Sequence, residues 1–125
     1  MNRSVLGSTT KPYSQGLKIT GGSSTIFISG QIARDEHDVV FFPGDMEKQA
    51  RYIFASIDEL LVQAGATMSN VVKIVAFVTT LDGYASYSKV RRDVFGSTLP
   101  VSSTVQVTSL VTPGCVIEIE AIAVL

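Results

Sequence analysis

Apolar residues recur along this chain with a helical spacing in two places. From Met46 to Ala64 they return at steps of three and four residues, with charged residues between them, which predicts an amphipathic helix. Asp45 is placed to cap the start of this helix, and Gly65 to end it. A second helix is predicted to begin after Asp82 and to end at Gly96.

Shorter apolar runs predict strands on both sides of these helices. The first two are separated by a glycine turn and are expected to form a hairpin, and the third has the continuous apolar character of a central strand. The strands are predicted at Leu17–Thr20, Thr25–Gln31, Val71–Thr80, Ser103–Thr108 and Val116–Val124. The polar residues before Leu17 are expected to be irregular and mobile. This order predicts a single α+β domain over residues 1–125, with both helices on one face of a mixed sheet.

Because side chains alternate along a strand, the strand residues divide into two faces. One set is almost wholly apolar and is expected to lie beneath the helices: Ile26, Ile28, Val72, Ile74, Ala76, Val78, Val105, Val107, Ile117, Ile119, Ala121 and Ala123. The other set is mixed: Thr25, Phe27, Ser29, Gln31, Lys73, Val75, Phe77, Thr79, Ser102, Thr104, Gln106, Glu118, Glu120, Ile122 and Val124. Two helices cannot cover both faces, so we expect the mixed face to meet another subunit, with a ligand site near that interface.

The composition narrows the range of partners. Of the 125 residues, 46% are hydrophobic and 17% are charged, so there is more apolar surface than one small domain easily hides. A formal net charge of -1 disfavours nucleic acid as a partner, and no apolar run is long enough to span a membrane. The single Cys115 excludes an internal disulfide, and the N-terminus lacks the apolar core of a signal peptide. We therefore expect a cytoplasmic protein.

Glu118 and Glu120 are the clearest candidates for chemistry. Their spacing on a strand sets both carboxylates on one face, about 6.6 Å apart. One of them either serves as a general acid or base, or forms an ion pair with Lys73 or with an arginine across the interface. His37 and Cys115 have no neighbours at metal-ligand or catalytic spacing, so neither a metal site nor a nucleophile is predicted.

Five segments form a combination that is typical of one protein family. They are Pro12-Tyr13-Ser14-Gln15-Gly16, Ile28-Ser29-Gly30-Gln31-Ile32, Ala64-Gly65, Val71-Val72-Lys73 and Ile117-Glu118-Ile119-Glu120-Ala121-Ile122-Ala123. Together they resemble the Rid family, the YjgF-like reactive-intermediate deaminases that are also labelled endoribonuclease L-PSP. The resemblance runs from about Pro12 to the C-terminus. It implies a chorismate-mutase-like fold, a homotrimer, and clefts between neighbouring subunits.

The resemblance also implies an activity. Members of the deaminating branch hydrolyse reactive enamines or imines such as 2-aminoacrylate to a keto acid and ammonia, without a cofactor. In them an arginine of a P-x-R-S element binds the substrate carboxylate, and the matching residues here are Pro100-Val101-Ser102-Ser103. Ser102 stands in place of that arginine, and a hydroxyl cannot form the bidentate pair that a carboxylate prefers. 2-Aminoacrylate is therefore expected to be a poor substrate.

Other site residues of the family match this chain more closely. Glu118 matches the glutamate that positions the attacking water, and Tyr13 and Ser29 match the tyrosine and serine of the cleft. Thr104 stands where many members have cysteine, and Ser88 stands roughly where they have asparagine. The water-binding half of the site is thus expected to be present, and the carboxylate-binding half to be altered.

Three functions are open from the sequence. The first is hydrolytic deamination of an unidentified imine or enamine whose acidic group is held by Arg34, Arg91 or Arg92. The second is a homotrimer that binds a small molecule without catalysis, which the serine at position 102 favours. The third, ribonuclease activity, rests on the family label alone and is disfavoured by the near-neutral charge. No cofactor is expected.

Overall fold

The computed structural model describes all 125 residues. It has two helices, α1 (Met46–Gln63) and α2 (Tyr84–Phe95), and a short 3-10 turn at Met68–Asn70. The strands are β1 (Asn2–Leu6), β2 (Gly16–Thr20), β3 (Thr25–Gln31), β4 (Val71–Val78), β5 (Val101–Gln106) and β6 (Ile117–Val124). Neither helix is both long enough and apolar enough to cross a membrane.

Four strands form the central sheet in the order β3-β6-β4-β5. β4 and β5 are parallel and β6 is antiparallel to both of its neighbours, so the sheet is mixed. Strands β1 and β2 form a separate antiparallel pair. Both helices pack on one face of the central sheet, around a core that includes Ile53, Ile57, Ile74, Ile117 and Ile119. The predicted α+β arrangement and the central position of β4 are confirmed.

Local chemistry sets the ends of the helices. The Asp45 carboxylate accepts a hydrogen bond from the backbone N–H of Lys48, 2.9 Å away, and so caps α1 as predicted. Gly65 follows α1 with a φ of +75°, a conformation that glycine adopts without strain. The predicted cap at Asp82 is wrong, because Gly83 is the N-cap residue of α2 and no side chain caps this helix.

Two expectations for the N-terminal part are also wrong. β2 forms no hairpin with β3, because β2 pairs with β1 while β3 pairs with β6. The residues expected to be irregular before Leu17 include β1 itself. The Gly21-Gly22 turn does separate two strands, but a turn that permits a change of direction does not oblige its flanking strands to pair.

The two faces of β5 point the opposite way to the prediction, and this difference decides which residues form the site. Ser102 is in register with Ile74 and Thr104 with Ala76, so both polar side chains lie on the face that the helices cover. Val105, expected beneath the helices, is in register with Phe77 on the opposite face and is 44% exposed. The alternation along β5 is therefore real, but its two faces are exchanged relative to the prediction.

The face of the central sheet without helices is called the open face here. Its apolar residues are Phe27, Val75, Phe77, Val105, Ile122 and Val124, and its carboxylates are Glu118 and Glu120. Phe27 is 76% exposed, and the helices leave this face uncovered, with the loop at Ser109, Leu110 and Val111 beside Glu118 and Phe77. An apolar surface of this kind is typical of a contact with another protein surface.

Gln49 of α1 is fully buried and joins the helix to two loops. Its side-chain amide donates hydrogen bonds to the carbonyls of Phe41, Phe42 and Gly114, at 3.2, 3.1 and 2.9 Å. Its side-chain oxygen accepts a hydrogen bond from the backbone N–H of Val116 at 2.9 Å. One side chain thus satisfies backbone groups on both sides of α1, including the residue before β6.

The Gln49→Leu variant is expected to unfold at lower urea concentration than the native protein. Leucine fills a similar volume but leaves buried backbone groups without partners, which costs on the order of 3 kcal/mol in the free energy of unfolding. Gln63→Leu, at the exposed end of the same helix, is the matched control and should change the midpoint little. Equal midpoints for the two variants would contradict the role assigned to Gln49.

Candidate active site

Arg91 of α2 lines a cavity of about 520 Å³ between helix, strand and the N-terminal segment. The cavity, called the Arg91 cavity here, is formed by Tyr13, Leu81, Tyr84, Arg91, Ser102 and Thr104. Ser102 and Thr104 reach it because the register of β5 turns them towards α2. Three of the predicted substrate-binding residues, Tyr13, Ser102 and Thr104, are therefore neighbours.

The guanidinium of Arg91 is held by hydroxyl groups and aromatic rings. Nη1 donates a hydrogen bond to the Ser102 hydroxyl at 2.8 Å, and Nη2 donates to the Tyr84 hydroxyl at 3.2 Å. Nη2 also lies 3.5 Å from the Ser88 hydroxyl. The ring centroids of Tyr13, Tyr84 and Tyr87 lie 5.2, 5.9 and 5.2 Å from the central carbon of the guanidinium. These contacts fix the cation against the side chain of Ser102.

Several buried polar atoms around this guanidinium have no hydrogen-bond partner. They are Nε of Arg91 and the hydroxyl oxygens of Tyr87 and Thr104. Burial raises the pKa of Tyr87, an effect that the charge of Arg91 opposes, so the phenol is neutral at physiological pH. The residues around the cavity thus hold unused hydrogen-bonding groups, buried from solvent, beside a fixed positive charge.

Hydrogen bonds to the start of β5 hold Tyr13 at the cavity. The backbone N–H of Ser14 donates to the Pro100 carbonyl at 2.9 Å, and the Ser14 hydroxyl donates to the Leu99 carbonyl at 2.6 Å. Arg3 of β1 donates to the same Leu99 carbonyl at 3.1 Å. The N-terminal segment is therefore joined to the strand that carries Ser102.

Glu118 lies on the open face, in a depression of about 240 Å³ that it shares with Phe77, Val107, Ser109, Leu110 and Val111. Its side chain crosses the backbone of Gly30, where an added Cβ would lie 2.5 Å from the carboxylate oxygen Oε2. Gly30 lies in an irregularity of β3, between the paired residues Ile28 and Gln31. The glycine and the bulge together give the Glu118 carboxylate room at the sheet edge.

Ser29 and Glu120 belong to a third depression, of about 270 Å³, which also lies on the open face and includes Lys73. Glu118 and Glu120 do share a face, as predicted. Neither forms an ion pair within the chain, so the expected pairing with Lys73 is absent. Within one chain, Ser29 and Glu118 are thus separated from Tyr13, Ser102 and Thr104 by the sheet.

Of the three arginines considered from the sequence, Arg91 alone reaches a cavity with predicted site residues. Arg34 bonds to the Thr112 hydroxyl and pairs with Asp38, and Arg92 donates to the Thr10 carbonyl at 3.4 Å. A signal for Arg91 is present in the sequence, because it falls on the same side of α2 as the core residues Tyr87 and Val90. An arginine on the buried side of a helix needs a polar partner.

The remaining reactive side chains lie outside these cavities. Burial raises the pKa of the Cys115 thiol, which is 4% exposed, so it is a poor nucleophile at neutral pH. His37 is exposed in the loop before α1, beside Glu36. Nowhere do three His, Cys, Asp or Glu side chains come together as metal ligands would.

The sequence of residues 6–125 matches the family model described as Endoribonuclease L-PSP. The chain belongs to this family. A RutC family protein of Pyrococcus abyssi is 33% identical over 112 residues, which cover 90% of this chain and 85% of the relative. The protein named 2-iminobutanoate/2-iminopropanoate deaminase in Bos taurus is 34% identical over 113 residues, covering 90% of this chain and 80% of the relative.

Solved structures of the L-PSP family have the same fold. The Rid-family protein YyfB of Yersinia pestis, described as being of unknown function, superposes with a TM-score of 0.85 over the whole of both chains, at 28% identity. RidA of a Psychrobacter species has a TM-score of 0.75 at 29% identity, covering 94% of this chain and 92% of its own. The resemblance of the sequence to the Rid family is confirmed.

The Gly30→Ala variant is expected to move the Glu118 side chain, because the new methyl group would overlap its carboxylate and its Cγ, 2.8 Å away. A crystal structure of the variant would measure the shift. Gln31→Ala, on the same strand, is the control and should leave Glu118 in place. An unmoved Glu118 in the Gly30→Ala crystal would show that the strand backbone gives way instead.

Proposed function

We propose that this protein catalyses hydrolytic deamination of an imine or enamine in a cleft between the subunits of a homotrimer. The observation that carries the proposal is the Glu118 carboxylate, held over Gly30 at the edge of the open face and free of ion pairs within the chain. Relatives that carry the name of an imine deaminase, over 90% of this chain, support the same reaction class.

The chemistry needs a base and a water molecule. Glu118 accepts a proton from water while the water oxygen bonds to the imine carbon and the C=N electron pair moves to nitrogen. The nitrogen takes that proton from Glu118 to give the carbinolamine. Glu118 then transfers the hydroxyl proton of the carbinolamine to the nitrogen while the C–N bond breaks and the C=O bond forms, and ammonia and a carbonyl compound leave. An enamine enters this sequence after protonation at carbon, which converts it to the imine. The atoms balance without a cofactor.

Assembly is part of the proposal because a single chain keeps the two parts of the site apart. The Arg91 cavity lies beside the helices, whereas Glu118 and Ser29 lie on the open face. A neighbouring copy packed against the open face would cover Phe27 and bring its own Arg91 cavity to the Glu118 of the first copy. This arrangement accounts for the apolar open face and for the divided site at once.

A small-molecule-binding trimer without catalysis is the second candidate. It is favoured by Ser102, which cannot itself bind a carboxylate as the family's arginine does. Ribonuclease activity ranks below both, because the formal net charge is -1 and the cavities carry no cluster of basic residues. An activity assay separates the first two candidates.

Ammonia release from a panel of enzymatically generated 2-imino acids is expected to be faster with the native protein than without it. Glu118→Gln should lower kcat/KM by about a hundredfold or more, since the base is lost while the shape is kept. Glu120→Gln, two residues along the same face, is the matched control and should change the rate little. Ligand binding without any acceleration across the panel would favour the non-catalytic trimer.

Sedimentation equilibrium is expected to give the mass of a trimer for the native chain. Phe27→Asp should shift the mass towards the monomer, because an unpaired carboxylate in a dry interface costs several kcal/mol. Val62→Asp, at an apolar residue of α1 that is 64% exposed, is the control and should stay assembled. A native monomer, or an assembled Phe27→Asp variant, would contradict the interface assigned to the open face.

A further inference from the structure

Arg91 is a buried cation without an anionic partner. Arg91 is only 1% exposed, and no carboxylate forms an ion pair with it. Burial of a charge is costly unless the charge is paired, and hydroxyls and aromatic rings compensate only in part. The chain nevertheless keeps an arginine here, on a helix face where an aliphatic residue would pack.

The unused hydrogen-bonding atoms lie where an anion would need them. Nε of Arg91 has no acceptor, and Nη2, on the same edge of the planar guanidinium, has only long contacts with the Tyr84 hydroxyl at 3.2 Å and the Ser88 hydroxyl at 3.5 Å, which an anion on this edge would replace. Two parallel N–H groups on one edge match the two oxygens of a carboxylate. The Thr104 hydroxyl, also buried and unpartnered, lines the same cavity and adds a further donor.

We propose that Arg91 is the carboxylate-binding residue of the cleft and that it replaces, from helix α2, the arginine that Ser102 lacks. The proposal rests on the proposed function for the identity of the ligand, a 2-imino acid or its 2-keto product. Ser102 then acts as a positioning residue, because its hydroxyl accepts the hydrogen bond that fixes Nη1.

Tyr84 is the cover of this site. Its hydroxyl accepts a hydrogen bond from Nη2, and the residue is 37% exposed, whereas the neighbouring Tyr87 ring, 6.2 Å away, is fully buried. Tyr84 is therefore the side chain that a ligand bound to Nη2 would displace.

The placement of the cation also sets the size of the ligand. An arginine at position 102 would extend from the strand into the cavity and occupy much of it. Arg91 instead approaches from the helix and stops against the Ser102 hydroxyl, which leaves a space of about 520 Å³ lined by Tyr13, Leu81 and Tyr84. A space of this size has room for a 2-imino or 2-keto acid whose apolar side chain is larger than that of a three-carbon acid.

Calorimetric titration of the native assembly with 4-methyl-2-oxopentanoate tests the proposal without requiring turnover. Binding is expected to be tighter than that of pyruvate and to fall at least about thirty-fold in the Arg91→Met variant. Arg92→Met, the neighbouring arginine on the exposed side of α2, is the matched control and should bind as the native protein does. Should Arg91→Met fail to fold, the uncharged 4-methyl-2-oxopentanamide, titrated into native protein, gives the same comparison.

Moving the guanidinium from position 91 to position 102 distinguishes a binding role of Arg91 from a structural one. Arg91→Ser should lose keto-acid binding, and the double variant Arg91→Ser with Ser102→Arg should regain part of it, because the guanidinium returns from the strand. Ser102→Arg alone is expected to destabilise the fold, since it adds a second cation next to the buried Arg91.

Equal affinity of native protein and a folded Arg91→Met variant for the keto acid would overturn the proposal, as would equal affinity for the acid and its amide. Tighter binding of inorganic phosphate than of the keto acid would overturn the choice of a carboxylate, and tighter binding of pyruvate would overturn the size assignment. Deamination that depends on Glu118 but not on Arg91 would support the proposed function and contradict the role assigned to Arg91. Keto-acid binding that depends on Arg91, without deamination, would support the role assigned to Arg91 and contradict the proposed function.

Discussion

The register of β5 against β4 is the constraint on which the architecture of the site depends. It sets Ser102 opposite Ile74 and Thr104 opposite Ala76, and so turns two hydroxyls towards helix α2. Hydroxyls beneath a helix need partners, because a buried polar group without a hydrogen bond is costly. For Ser102 the helix provides Arg91, whose guanidinium becomes fixed in a cavity as a consequence, whereas the Thr104 hydroxyl has no partner within the chain.

The same register divides the site between two faces. With Ser102 and Thr104 beneath the helices, the strand leaves Val105 for the open face, where it joins Phe27 and Phe77. The apolar character of that face and the separation of Glu118 from the Arg91 cavity therefore have one origin. A single copy cannot complete a site whose parts lie on opposite sides of a sheet, so the proposed catalysis and the proposed assembly depend on each other.

Periodicity in the sequence was sufficient for the elements whose pattern is decided within one segment. Helix α1, its cap at Asp45 and the buried strand β4 follow from spacing and burial alone. The pairing of β2 with β1 does not, because strand partners are chosen between segments and no local pattern encodes them. The faces of β5 could not be assigned for a related reason. Its two faces, Val101, Ser103 and Val105 against Ser102, Thr104 and Gln106, are both partly polar, so the sequence of this edge strand suits either orientation.

Motif matching assigned residues to the proposed site but left its charge open among three arginines. Positions 13, 102, 104 and 118 could be assigned from the resemblance, and the structure places the first three around one cavity. The sequence left Arg34, Arg91 and Arg92 open as the cation, because the motif assigns the charge to one residue number, whereas the chemistry requires only a guanidinium at one point in space. Any element within reach of an arginine side chain can supply it. In the arrangement proposed above helix α2 supplies it, so serine at position 102 changes where the charge is attached and the space left in front of it.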